Sequence, residues 1–310
     1  MAYTDREDLN YLGKLYLIGA NKTPFLNRIG ALSGGGKTYD SFNFPIAQPW
    51  ALRAADQATA VKSEATSVSD TTEITYTRGQ DYNTCQIMKY PYGVTFAKRS
   101  TPGEISGLAI AGQNQPVRDE LAFQRMAALK QMAIDLEYSF LQGSYVAQST
   151  AATVAKTRGI IEACATNTVA AGSAAIAKSH INTLVKEMAD NGAEFDNMLL
   201  FANAFQIQSL TALYGYAPES RTMGGEAIDT ILTDFTKLSV VYDPFMPTDK
   251  ILIADMAYIS PVFCPSEGEL IRDQEVAVTT AKRGGFLYAQ VGLDYGPEEY
   301  HGTITGLATS

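Results

Sequence analysis

The stretch PVRDELAFQRMAALKQMAIDLEYSFLQG, residues 116–143, decides how the chain is read. Pro116 suits the first position of a helix, and Asp119 and Glu120 follow where the helix dipole favours acids. Leu121, Leu129, Met132, Leu136 and Phe140 form a stripe at helical spacing, with Arg125 filling the gap. Gly143 supplies the stop. The spacing predicts one helix over about 116–142, a rod of roughly 40 Å. That is well beyond the usual helix of about 11–12 residues. A methionine and aromatic stripe on such a rod marks core or interface, not a cofactor box.

Upstream, the composition turns over. Ala, Thr and Ser fill half of positions 51–80, and large apolar side chains are scarce. Such a segment cannot pack on itself. Thr71–Thr77 nevertheless has strong β character, Arg78-Gly79-Gln80-Asp81 reads as a turn, and Cys85–Lys89 reads as a second strand. The pattern predicts an exposed β-hairpin excursion over roughly 50–90, which is marginal alone and needs a neighbour to lean on.

Residues 1–48 are too punctuated for a compact domain. A short helical pattern around Leu9, Leu12, Leu15, Tyr16 and Ile18 gives way to a turn at Asn21–Phe25, and Gly34-Gly35-Gly36 breaks the chain. Lys37–Phe44 then alternates like a strand and ends at Pro45. This reads as an arm that lies on something else.

Downstream the pattern alternates. Ser179–Asp190 reads as a helix with Ser179 as N-cap and Gly192 as stop, and Ala204–Tyr214 as another. Met198–Phe201, Leu238–Tyr242 and Ile251–Ala254 are apolar runs of the kind buried on both faces of a sheet. Gly285–Leu307 reads as a strand, a Gly296-Pro297 turn and a short return.

The counts exclude several classes. The 310 residues carry 33 acidic and 24 basic side chains, a formal charge of −9, with 46% hydrophobic residues. This is a globular composition, and it lacks the basic footprint of a gene regulator. Cys85, Cys164 and Cys264 lie far apart without C-x-x-C spacing and read as buried reduced thiols. The acidic start MAYTDREDLN has no apolar signal region, and no run reaches the roughly 20 apolar residues that span a bilayer, so the reading is a chain made in a reducing cytoplasm.

Chemistry-bearing motifs are weak. In Ser33-Gly34-Gly35-Gly36-Lys37-Thr38 a phosphate loop would need its first glycine at position 31, which is Ala31, and a helix would have to follow. Neither a G-x-S-x-G nor an H-E-x-x-H motif occurs, and no acidic run has the EF-hand pattern. Lys98-Arg99 and Lys282-Arg283 read as solvated or interface doublets, and Asp135 and Glu137 as ion-paired carboxylates on the long helix.

Several stretches, in order, carry a resemblance. They are Glu7-Asp8-Leu9; Thr23-Pro24-Phe25-Leu26 with Arg28-Ile29-Gly30; Asp135-Leu136-Glu137 with Leu141-Gln142-Gly143; Thr157-Arg158-Gly159-Ile160-Ile161; Thr233-Asp234-Phe235; Met246-Pro247; and Gly302-Thr303-Ile304-Thr305-Gly306-Leu307. Together with the arm, the core-poor hairpin and the long helix, they resemble the major capsid proteins of tailed bacteriophages, the HK-ninety-seven fold, in its SU-ten-type branch. One departure is Pro49-Trp50, where relatives tend to place a glutamate beside the first tryptophan.

The resemblance implies an α+β chain. Residues 1–48 would be the N-terminal arm, 49–104 the E-loop hairpin and its base, and 105–170 a P-domain with the spine helix. Residues 171–285 would be an A-domain, and 286–310 would return as strands to the P-domain. It implies hexamers and pentamers closing into an icosahedral or prolate head shell around double-stranded DNA. The implied partners are copies of the chain, a portal, and scaffolding or decoration proteins, with packaged DNA touched non-specifically and no membrane. The arm at the start of the chain suggests that any scaffold is separate. No catalytic residue, cofactor or metal is expected, and the implied location is the virion, assembled in the host cytoplasm. The candidate inter-subunit contacts are Thr72, Ile74, Tyr76, Arg78, Phe25 and Trp50. The acidic balance predicts an inner wall neutral to acidic, which would let DNA slide. Two other readings stay open: a cellular compartment shell of the same fold around an enzyme cargo, and a phosphate-binding enzyme using Gly34–Thr38.

Overall fold

One long helix and two sheets organise the computed structural model, which describes residues 22–30, 36–57, 60–69, 73–96, 120–214, 230–276 and 281–309. In chain order the elements are α1 (Pro24–Arg28), β1 (Lys37–Thr38), β2 (Asn43–Pro45), α2 (Glu64–Ser69), β3 (Tyr82–Thr84), β4 (Gln86–Thr95) and α3 (Glu120–Gln142). There follow α4 (Ile160–Ala163), β5 (Thr168–Ala170), α5 (Lys178–Asp190), β6 (Met198–Ala202), α6 (Ala204–Tyr214), β7 (Thr230–Leu232) and β8 (Lys237–Tyr242). The chain closes with β9 (Ile251–Asp255), β10 (Ser260–Phe263), β11 (Ile271–Val276), β12 (Lys282–Asp294) and β13 (Gly302–Thr305).

The first sheet has the order β5-β13-β9-β6-β8-β7. Strands β6 and β9 are buried at every position, as their unbroken apolar sequence requires of strands covered on both faces. Helix α5 buries Ile181, Leu184, Val185 and Met188, spaced as one helical face, into the cluster beneath this sheet. Its first residue is Lys178, and the predicted Ser179 cap is replaced: the Ala177 N–H donates to His180 Nδ1 at 3.3 Å.

The second sheet is built on β12. Along one edge β12 pairs with β4, from Lys282 opposite Thr95 to Val291 opposite Gln86. Along the other edge it pairs with β11 and then β10. Helix α3 lies across β4 and β12. Its stripe is buried only in the C-terminal half, at Met132, Leu136, Phe140 and Leu141; Leu129 and Met126 are exposed. The predicted first turn, Pro116–Asp119, lies outside the described residues. Gly143 ends the helix because of a close approach: a Cβ there would stand 2.7 Å from the Thr157 carbonyl, and one on Gly159 2.5 Å from the Gly143 nitrogen. The stretches Leu141-Gln142-Gly143 and Thr157-Arg158-Gly159 are thus packed backbone to backbone.

Two expectations are corrected. The strand over Thr71–Thr77 does not form: Glu73–Thr77 is irregular, and Thr71 and Thr72 lie outside the described residues. Of the strands expected over 286–310, β12 lies against α3 in the second sheet, and β13 pairs with β5 and β9 in the first. The ion pairs expected for Asp135 and Glu137 are not found among the described residues. Asp135 accepts from Tyr90 Oη and Gln131, and Glu137 is buried against backbone.

Candidate inter-subunit surface

The candidate surface rises from a rigid base. β2 and β3 pair antiparallel, and the ladder continues outward through Ile46 N–H to Asp81 O, Asp81 N–H to Ala47 O and Gly79 N–H to Pro49 O. It ends at a bridge between Trp50 and Arg78. Asn83 rivets this base to the body. It is fully buried. Its Nδ2 donates to Leu293 O at 2.8 Å and Thr157 Oγ1 at 3.1 Å, and its Oδ1 accepts from Arg158 N–H and Thr84 N–H, both at 2.8 Å. One amide therefore ties the loop base, β12 and the Thr157–Gly159 turn together. Phe44 and Cys85 fill the apolar side of the base with Val262 and Cys264.

Beyond the bridge the loop projects. Every described residue from 51 to 77 is exposed except Arg53, which is half-buried. Trp50 is 60% exposed, Leu52 67%, Val68 87%, Ile74 53% and Tyr76 47%. Large apolar side chains are thus held in water on one excursion. Of the candidate contacts, Trp50, Ile74, Tyr76 and Arg78 lie together on this loop. Thr72 lies outside the described residues. Phe25 is removed from the candidate surface: it is fully buried in its own subunit, with its ring edge-on to Phe201 at 5.4 Å. Asn83 was missed because one asparagine in a strand gives no sign of burial.

Other candidate chemistry resolves into structure. Lys37 sits on β1 opposite Val262, and its ammonium meets the buried Asp294 carboxylate. Strand, not helix, follows Gly36, so the geometry of a phosphate loop is missing there. Arg283 pairs with Glu275 at 3.1 Å, while Lys98 and Arg99 lie outside the described residues. An open cleft of about 360 Å³ between the start of α3 and β11 holds Arg125 and Arg283, each already paired with Asp273 or Glu275. The three cysteines are free and buried, and burial pushes the Cys85 thiol up to about 12, with Cys264 beside it adding to the shift. His301 is fully buried and neutral, and burial lowers it to about 4. Its Nε2–H donates to Tyr295 O at 2.6 Å, and its Nδ1 accepts from Asp255 N–H at 3.1 Å. Among the described residues no helix is long and apolar enough to cross a membrane, and no cluster of three His, Cys, Asp or Glu could hold a metal ion.

Solved structures share this arrangement over whole chains. The capsid subunit of cyanophage A-1(L) superposes with a TM-score of 0.64 at 11% identity, covering 99% of this chain and 98% of that one. The capsid of an empty GTA particle gives 0.58 at 13%, covering 99% and 96%. The SrpI encapsulin of Synechococcus elongatus PCC 7942 gives 0.59 at 10%, covering 100% and 98%. A search of curated protein sequences returns no match. At such identities the likeness defines the fold, and the fold is that of shell-forming capsid subunits. The chain belongs to the SU10 major capsid protein family, whose model matches residues 2–308. It is a structural protein of a phage capsid shell, associating with copies of itself, and its place is the virion. The family match separates it from compartment shells, which the fold does not.

Proposed function

We propose that the subunits form hexamers and pentamers through the loop beyond Trp50 and Arg78, closing a head shell around double-stranded DNA. The loop's exposed apolar row carries this reading. Fully covering a large apolar side chain contributes roughly 1.5–3 kcal/mol, so several of them make a contact that only a neighbour can supply. The contact is heterologous, one subunit's loop on the next subunit's body, which is the geometry that closes rings. Ile74, Tyr76 and Trp50 supply the apolar area, and Arg78 the polar rim. A portal, with scaffolding or decoration proteins, completes the particle, assembled in the host cytoplasm. The net charge of −9 supports an inner wall that holds DNA without binding it tightly. The role asks for no catalytic residue.

Sedimentation of the purified chain tests this reading. Rings or megadalton shells are expected at micromolar concentration, and a monomer at every concentration contradicts it.

A further inference from the structure

Helix α1 has five residues, too few to hold itself in water. Two of its backbone groups are tied to a single side chain. Phe25 N–H donates to Glu137 Oε1 at 2.8 Å, and Leu26 N–H to Glu137 Oε2 at 2.6 Å. Glu137 lies in the buried half of α3, and its carboxyl neighbours that of Asp243, also fully buried, on the turn leaving β8. Asp243 is fixed there. Its N–H donates to Ala202 O at 3.0 Å, and its Oδ1 accepts from Phe245 N–H at 2.8 Å. Its Oδ2 is buried and receives no donor from any described group.

Two carboxylates in contact, away from water and without a cation, cannot both be ionised. Among the described residues the surroundings offer no cation to the pair. Helix α1 presents backbone N–H groups, and its one charged side chain, Arg28, is exposed. Strand β6 brings Phe201 against Phe25. The turn after β8 brings Asp243 and Phe245. Asp135, two residues along α3, points away from Glu137 and is bonded to Tyr90 and Gln131. The missing donor to Asp243 Oδ2 is a proton.

We propose that Glu137 and Asp243 share one proton and form a latch, which holds Thr23–Ile29 on the long helix and lets it go when that proton is lost to solvent. Burial, reinforced by the charge of Asp243, pushes Glu137 up to about 9, against the pull of the two backbone N–H groups. Burial raises Asp243 as well. The folded group binds its proton more tightly than the unfolded one. The latch therefore contributes fully below about pH 4.5, the ordinary glutamate value, and fails as pH rises through about 9. The coupling runs both ways: at neutral pH, pulling the arm segment off exposes the pair to water and releases one proton per subunit. The latch lies within one chain and stands whether or not the shell contact of the loop is correct.

Hydrogen exchange of the peptide 22–30 in the full chain, corrected for intrinsic rate, tests it from pH 6 to 10. Wild-type protection is expected to fall about tenfold per unit from pH 6 to about 9, the slope of one proton released on opening, and to level off above that. Asp243→Asn replaces the shared proton by a permanent N–H donor, so its protection stays flat with pH. Glu137→Gln keeps a donor to Asp243 but cannot accept both backbone N–H groups, so its protection is lower at neutral pH, again without the slope. The infrared carbonyl band of a protonated carboxyl is expected in the wild type at pH 7 and absent in Asp243→Asn; if both variants misfold, the wild-type band decides. Equal slopes in wild type and Asp243→Asn, a flat wild-type profile, or a missing band overturns the latch.

Discussion

The loop between Trp50 and Arg78 and the strand pair β6–β9 are opposites within one subunit. Both strands are buried at every position, whereas nearly every described residue of the loop is exposed. The energy of covering apolar surface is realised inside the subunit for the strands and, in the proposed assembly, only between subunits for the loop. A change in the strands should cost folding and a change in the loop should cost assembly.

The largest expected effect breaks that comparison most openly. Replacing residues 51–77 by a short glycine linker should abolish sedimenting assemblies while leaving circular dichroism and thermal unfolding almost unchanged. Loss of the fold itself would place the loop in the core. Ile253→Ala, in a fully buried strand position, should do the reverse, lowering subunit stability by about 2–5 kcal/mol in denaturant titration. His301, beneath the same sheet, adds a pH arm. Its folded value of about 4 lies below the ordinary 6.5. Its contribution is therefore complete above about pH 6.5 and is lost as pH falls toward 4, by up to about 3 kcal/mol. His301→Gln should flatten that part of the pH profile.

Asn83 stands at the junction of the two regions. Asn83→Ala leaves buried N–H and carbonyl groups of Thr84, Arg158 and Leu293 without this partner, and should cost about 1–3 kcal/mol. Assembly should fail together with stability, because the loop loses its mount. The smallest effect is expected from Ile74→Ala: under about 0.5 kcal/mol on subunit stability, as for any exposed side chain. The concentration needed for assembly should still rise.

The long helix and the buried strands were legible because period and unbroken apolar runs are local signals. The loop was legible through what it lacks. Phe25 shows the limit. It follows Thr23-Pro24 in a punctuated segment that reads as exposed arm, yet it is fully buried, with its N–H bonded to Glu137, 112 residues away. Strand β13 shows the same limit. Nothing in Gly302–Thr305 says that its neighbours will be β5 and β9 rather than a strand beside the long helix. The expected strand at Thr71–Thr77 failed for a related reason: β propensity needs a partner, and the described residues offer none to Glu73–Thr77.

Cryo-electron microscopy of the purified, assembled full chain tests the central claim most directly. The account predicts closed shells in which residues 51–77 lie on the adjacent subunit, with Trp50, Ile74 and Tyr76 covered. Shells in which that loop stays exposed to solvent, held together by other surfaces, would contradict it.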